Sequence, residues 1–277
     1  MLRVLLVAAV AVALVACAGC PRAPQPEQPS TAPKATKTAP SPSQLTVFAA
    51  SSLTEAFDTF AEGFTKAHPS TKVSTNYAGT QELRTQVEQG ARPDVFASAS
   101  KEHMDALVKA GLVKDAVVFA RSKLCVVAAK EPGKVKSLKD LAQPGVRVVV
   151  AVETCPAGKY TRQCWDKMAA SKAFGPGYVA AVKASVKSEE TNVKLVLAKV
   201  ELGEADAGFV YRSDIGSAKV AAIALPAEVA VEATYEVGIG AETKNPGGAQ
   251  EFVTALLGPE GRKALQAHGL EPASPPE

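Results

Sequence analysis

Histidine is scarce in this chain, with three in 277 residues, and so are aromatics, at 5% with a single tryptophan. His68, His103 and His268 lie in unrelated, surface-like contexts. No serine therefore has an evident base beside it, and a serine hydrolase is poorly supported. No group of His and Cys has the spacing of a zinc site. Trp165 stands alone, which argues against an aromatic cage for an organic cation. Basic residues do not cluster either. Arg3, Arg22, Lys34 and Lys37 against Glu27 account for the whole formal charge of +3 before residue 44, and the remainder is neutral. Nucleic-acid binding has little support on that distribution. Cysteine is limited to five residues. Its one Cys-X-X-Cys spacing, Cys17 to Cys20, falls at the N-terminus rather than before a helix, which disfavours a redox enzyme. No internal repeat of solenoid or propeller length is visible.

What is present begins with a leader. Met1-Leu2-Arg3 supplies one positive charge ahead of "VLLVAAVAVALVA", Val4 to Ala16, an apolar run too short to span a bilayer comfortably. Residues 1–16 have the form of a secretory signal. They end in Leu14-Val15-Ala16-Cys17, which resembles the bacterial lipobox and implies that Cys17 becomes the lipidated first residue of the mature protein. The fate of Cys20 stays open. Residues Pro21 to Ser43 hold seven of the nineteen prolines, with Ser, Thr and Lys and almost nothing apolar to bury. Such a stretch cannot offset its ordering entropy and reads as a solvated spacer. Residues 17–43 are thus expected to be a lipidated N-terminus and proline-rich linker, and 273–277 a short tail. Together they predict a domain tethered outside the cytoplasmic membrane, in the periplasm or at the cell surface.

The rest is 47% hydrophobic and 21% charged across the whole chain, an ordinary balance for a protein with a substantial core. Short apolar runs alternate with helical stretches from Leu45 onward. "LTVFAA" reads as a strand, and the next stretch puts Leu53, Ala56, Phe57, Phe60, Ala61 and Phe64 on one helical face. The same alternation recurs through "TKVSTNYAG" and "TQELRTQVEQG", "PDVFASAS" and "KEHMDALVKAGLV", then "VRVVVAV" and a helix from about Gly158. "NVKLVLAKVELGE" and the strand-like "ADAGFVYRSD" follow. This order predicts an α/β fold with largely parallel sheets.

Four strand-to-helix junctions share a feature. Ser51-Ser52 opens the first helix, with Glu55 at capping-box spacing from Ser52. Gly79-Thr80 opens the second, "CPAG" from Cys155 to Gly158 opens another, and Thr191-Asn192 opens the helix near Val193. A helix start carries free N–H groups and a positive dipole end, and binds oxyanions without a basic side chain. Each residue taken singly is better explained as a plain cap or turn. Spacing alone does not bring the four ends to one point.

At these residues the chain resembles the extracytoplasmic molybdate-binding proteins of ABC transporters, the ModA family. The matching motifs are "VFAASSLTEAF", "YAGTQELRTQVEQGARPDVFASAS", "CPAGKYTRQ", "ETNVKLVLAKVELGEADAGFVYRSD" and "FVTALLGPEGRKALQAHGLEP", in family order from about Leu45 to Pro272. The resemblance implies a two-lobed type II periplasmic-binding-protein fold, each lobe a mixed sheet flanked by helices. Lobe 1 would comprise 44–121 plus 237–272 and lobe 2 122–236, with hinge crossings near Arg121 and Tyr235. It further implies one tetrahedral oxyanion held in the cleft by neutral donors. Ser52 would give its hydroxyl and N–H, Thr80 its hydroxyl, Ala157 and Val193 their backbone N–H groups, and Tyr211 its hydroxyl. Without the resemblance Tyr211 reads as a core tyrosine.

Four positions depart from the family pattern, among them Lys159, just inside the helix that Cys155 opens. Thr80 stands where serine is usual and adds a methyl. Arg212 follows Tyr211 where a small residue is usual, and strand alternation points it away from the Tyr211 face. Cys155 sits beside the binding turn. A disulfide there stays open between partners. Cys155–Cys164 needs the turn to fold back, because an unbroken helix would hold the two well over about 10 Å apart. Cys125–Cys155 is an equal contender.

The resemblance implies a solute-binding lipoprotein, not an enzyme, that captures molybdate or tungstate and delivers it to an ABC permease. A monomer with no cofactor, and no metal bound except through the oxygens of the anion, is expected. An iron-binding relative would carry adjacent tyrosines, and the five here are separated. Sulfate or another oxyanion in the same fold is the alternative, and a cell-envelope enzyme a more distant one.

Overall fold

The computed structural model describes residues 43–130, 133–216 and 218–274. The expected signal segment, Cys17, Cys20, all of the linker except Ser43, and residues 275–277 of the tail lie outside the described residues.

The chain runs β1 (Ser43–Ala50), α1 (Thr54–Ala67), β2 (Thr71–Ala78), α2 (Thr80–Glu88), β3 (Val95–Ser98), α3 (Lys101–Lys109) and the long β4 (Val113–Ala129). It continues through β5 (Val148–Ala151), α4 (Pro156–Ala170), α5 (Tyr178–Ala184), β6 (Val186–Glu190), α6 (Val193–Glu201), β7 (Ala207–Tyr211) and β8 (Val220–Ala224). β9 (Glu232–Gly240), α7 (Pro246–Leu257), α8 (Pro259–Ala267) and β10 (Glu271–Pro272) complete it.

The strands form two sheets joined through β4. In the first, β1 pairs in parallel with β2 and β3, and β9 lies antiparallel to both β3 and β4. In the second, β5 is parallel to β6 and β7, while β4 is antiparallel to β7 and β8. The expectation of largely parallel sheets is therefore met only in part, and both sheets are mixed. The reason is topological: β4 leaves the first sheet and β9 returns to it, and strands running opposite ways pair antiparallel. The β4–β9 ladder ends at Lys123–Glu232, and the β4–β7 ladder begins one residue later at Leu124–Tyr211.

Helices cover the sheets with the faces their periodicity requires. α1 buries Ala56, Phe57, Phe60 and Phe64, with Ala61 only half-buried beside them. Phe57, Phe60 and Phe64 pack their rings on Phe252 of α7 at centroid separations of 5.0–6.3 Å. On the second sheet, Trp165 of α4 meets Phe209 of β7 edge-on at 5.8 Å. Each buried aromatic side chain contributes on the order of 1.5–3 kcal/mol through the area it removes from water.

The helix that follows β5 starts at Pro156, two residues before the expected Gly158, because proline at the first helical position is preset for the turn. Its start is pressed against the end of the strand. A Cβ built on Gly158 would lie 1.9 Å from the Val152 carbonyl oxygen and 2.5 Å from that of Ala151. Both obstacles are backbone, so neither yields cheaply. Gly158→Ala is expected to destabilise the protein by about 1–3 kcal/mol, as overpacking does, and urea unfolding of the purified variant measures it.

Candidate functional site

The strand ends of the two sheets face one another across a small, tight cavity of about 10 Å³. Its lining comes from the residues that end or follow six strands: Ala50 to Ser52 after β1, Gly79 and Thr80 after β2, and Ala99 after β3 on one side. On the other stand Cys155 to Ala157 after β5, Val193 after β6 and Tyr211 at the end of β7. This is the carboxyl end of each parallel strand set, where ligands of open α/β sheets gather. Organic ligands occupy cavities of roughly 300–1,000 Å³, and this one is smaller. No charged side chain lines it.

All five residues singled out from the sequence, Ser52, Thr80, Ala157, Val193 and Tyr211, meet here. All are buried, none more than 5% exposed. Their donors are free in ways that differ. Ser52 does not cap its helix: the α1 start has no side-chain cap bond, and the capping-box expectation for Ser52 and Glu55 is not met. Instead the Tyr235 hydroxyl donates to Ser52 Oγ at 3.1 Å, which leaves the serine hydrogen available to a third group. Thr80 Oγ1 accepts the N–H of Ala99 at 3.2 Å, with the same consequence. Ala157 is the second residue of α4 and Val193 the first of α6, positions whose N–H has no partner within the helix. Asn192 caps α6 as expected, accepting the Leu195 N–H at 3.1 Å.

Tyr211 carries the clearest signal. Its ring packs edge-on against Tyr160 and Tyr235 at 6.2 and 5.9 Å. Its hydroxyl is buried with no hydrogen-bond partner, and burial pushes its pKa well above the usual tyrosine value. A neutral donor left unpaired in the interior costs about 1–3 kcal/mol. A cavity that would admit an acceptor at that point gives the expense a purpose.

The departures resolve simply. Arg212 is exposed, in a single 3₁₀ turn after β7 rather than on the strand. Lys159 pairs with Glu102 on α3. Cys125, Cys155 and Cys164 are all free thiols, so neither open disulfide is formed. α4 runs unbroken between Cys155 and Cys164. Burial raises the Cys155 thiol to about 11, so it lines the cavity as a neutral group. Among the described residues no cluster of His, Cys, Asp or Glu could hold a metal ion, and no helix is long and apolar enough to cross a membrane.

Sequence reasoning missed Tyr235 as a support for Ser52. Alternation along β9 marks Ala233, Tyr235 and Val237 as buried but says nothing of a partner 183 residues away. It also missed Asp214, buried in the turn below Tyr211, whose Oδ2 accepts the Tyr211 N–H at 3.0 Å. Burial, opposed by the Lys194 ammonium, raises the Asp214 carboxyl from 3.8 to about 7. Glu55, Tyr211, Tyr235, Cys125 and Cys155 are the other titratable groups around it. With the folded value above the unfolded one, the native state holds the proton more tightly. Its stabilising contribution is complete below about pH 4 and is lost as pH rises to about 7. Asp214→Asn keeps an acceptor for Tyr211 without the charge. Thermal unfolding across this range should show the variant gaining on the wild type as pH rises, with the gap constant above pH 7–8.

Residues 45–271 match the bacterial extracellular solute-binding protein family. The molybdate-binding protein ModA of Mycobacterium tuberculosis is 37% identical over 230 residues, covering 82% of this chain and 84% of that protein. The molybdate-binding protein ModA of Escherichia coli is 30% identical over 238 residues, covering 82% and 88%. Among solved structures, the periplasmic molybdate-binding protein of Azotobacter vinelandii superposes with a TM-score of 0.73 over 83% of this chain and all of that one (100%), at 22% identity, a likeness of fold.

Proposed function

The chain belongs to the bacterial extracellular solute-binding proteins, in the ModA family, and we infer from that membership and from its cavity that it captures molybdate for an ABC transporter. Its mixed sheets flanked by helices are those of the type II periplasmic-binding-protein fold. The reading of the site is supported chiefly by one observation: the Tyr211 hydroxyl, buried and unpaired, faces a cavity lined by neutral groups. Ser52, Thr80 and Tyr211 would donate O–H, and Ser52, Ala157 and Val193 N–H, to the oxygens of one tetrahedral dianion. Two helix starts from each side would add their dipoles. A cation is not needed, and the role requires no covalent chemistry and no cofactor.

The lobes would be 44–121 plus 237–272 and 122–236, closing about the two strands, β4 and β9, that pass between the sheets. Delivery to the permease would be by a monomer held at the membrane through lipid on Cys17 and the linker that follows. Replacing Cys17 with serine should abolish lipid attachment. Mass spectrometry of the mature protein decides this, and an unmodified N-terminus beyond Cys20 in the wild type would refute it.

Selectivity follows from what such a site lacks. Near neutral pH phosphate always carries at least one proton, as HPO4²⁻ or H2PO4⁻, and that proton needs an acceptor. A hydroxyl accepts only by giving up its own donation, and a backbone N–H cannot accept at all. Phosphate would therefore be rejected at about 1–3 kcal/mol for each buried group left unpaired. Sulfate meets the donors but is smaller, and in a rigid cleft some donors are left beyond good bonding distance. Molybdate and tungstate, nearly equal in size and charge, should bind within a small factor of each other, sulfate much more weakly and phosphate not detectably. Calorimetric titration of the purified protein with the four anions tests this, and sulfate or phosphate binding as tightly as molybdate would overturn it. In the same titration Ser52→Ala and Tyr211→Phe each remove a bond to a charged ligand, about 1.5–3 kcal/mol. Each should weaken molybdate about tenfold or more; in the anion-free protein Ser52→Ala should also lower the melting temperature, since it leaves the Tyr235 hydroxyl unpaired, whereas Tyr211→Phe, which removes a hydroxyl that has no partner, should not.

A further inference from the structure

Three polar bridges join the helices of the first sheet to those of the second around the cavity. Gln81 Nε2 donates to the Thr191 carbonyl at 2.6 Å, His103 Nε2 meets the Thr154 carbonyl at 3.0 Å, and Lys159 pairs with Glu102. These are rim contacts. A fourth bridge differs because it ends on a buried carboxyl group. Lys194 Nζ lies 2.8 and 2.7 Å from the two carboxylate oxygens of Glu55 on α1, and 3.5 Å from Asp214 Oδ1 below β7. The Asp214 side chain is fully enclosed at 0% exposure, Lys194 is 23% exposed, and Glu55, at 52%, reaches in from the other side.

The three members of this chain share a placement. Glu55 is three residues after Ser52 on the first helix, Lys194 directly follows Val193, and Asp214 is three residues after Tyr211 and binds its backbone N–H. One ammonium thus indexes three of the five proposed donors, taken from both sides of the cavity, without itself lining it. We propose that Lys194 is a positioning residue that latches the cleft shut, tying Glu55 to Asp214 so that Ser52, Val193 and Tyr211 come into register around the bound anion. The proposal rests on the oxyanion-binding reading for its effect on the ligand, but not for the bridge itself. Opening the cleft separates Glu55 from Lys194 and leaves the Lys194–Asp214 pair intact on its own side, so the Glu55 arm is the one that senses closure. An arginine could span the same two carboxylates, whereas a methionine keeps the packing of the stem and loses the charge.

Two measurements on the full chain test this. The first is molybdate dissociation by stopped flow, with Glu55→Gln, Lys194→Met, their double variant and Lys194→Arg. Glu55→Gln should speed release about two- to fivefold, the range of a partly exposed ion pair, and Lys194→Met at least as much. The double variant should release no faster than Lys194→Met, because both changes remove one interaction, and Lys194→Arg should stay near the wild type. Additive effects, or release at the wild-type rate in both single variants, would overturn the proposal. The second needs no ligand: amide hydrogen exchange in the anion-free protein. Lys194→Met, on α6, should speed exchange at residues 52–57 on the opposite side, and Lys194→Arg should not. If the wild type binds no molybdate, the functional reading falls and this measurement still decides the latch. Unchanged exchange at 52–57 would refute it.

Discussion

A dianion buried with no cation against it has to be held by dipoles and hydrogen-bond donors, and on the proposed function that requirement accounts for the groups around the cavity. One helix start supplies a partial positive charge and a few free N–H groups, too little to replace the hydration of a doubly charged ion. Several starts must converge from different directions. Two parallel strand sets whose carboxyl ends face each other provide this, since each strand delivers a turn or a helix N-terminus to the same point. β4, which pairs in both sheets, links the two sets.

The donors are oriented before any ligand arrives. Ser52 and Thr80 would be ambivalent hydroxyls in isolation, able to give or accept a proton. By accepting from Tyr235 and from the Ala99 N–H respectively, each has its own hydrogen left for the cavity. Tyr235 in turn is fixed by edge-on packing against Phe119 and Tyr211. A tyrosine hydroxyl thus sets the polarity of Ser52 and a backbone N–H that of Thr80, and on the proposed function discrimination between protonated and unprotonated anions would follow from that polarity. The thiol of Cys155, kept neutral by burial, adds no charge to the arrangement.

Charge is kept out of the cavity but stands close behind it. Glu55, Lys194 and Asp214 flank donor residues on both sides, and Asp214 alone of the three is fully enclosed. The lysine offsets the buried carboxylate and reaches the opposite helix in one geometry. A cation placed in the cavity itself would attract any anion; placed outside, it supports closure while the neutral lining keeps the choice of ligand.

How far all this is legible in the sequence depends on the range of the interaction. Helix faces such as Ala56, Phe57, Phe60 and Phe64 are local patterns, fixed by a period of 3.6 residues, and they read out directly. So does the Asn192 cap. That Ser52, Thr80, Ala157, Val193 and Tyr211 belong together is legible through motif resemblance, because the residues that form a turn and present its N–H groups are neighbours in the chain, and the structure brings the five to one cavity. The mixed pairing of the sheets is not, since strand direction depends on where the chain crosses rather than on any residue. The partners of Ser52, Tyr211 and Lys194 are likewise invisible: Tyr235 is 183 residues from Ser52, and Glu55 is 139 from Lys194. A serine before a helix reads as a cap because the nearest N–H groups are the only partners the sequence puts within reach. The sequence by itself determined the alternation of strands and helices and the chemistry of each helix start. Only the tertiary structure decided which starts share a cavity, which hydroxyls are left to donate and which charges meet across it, because those depend on distances between segments that no local pattern encodes.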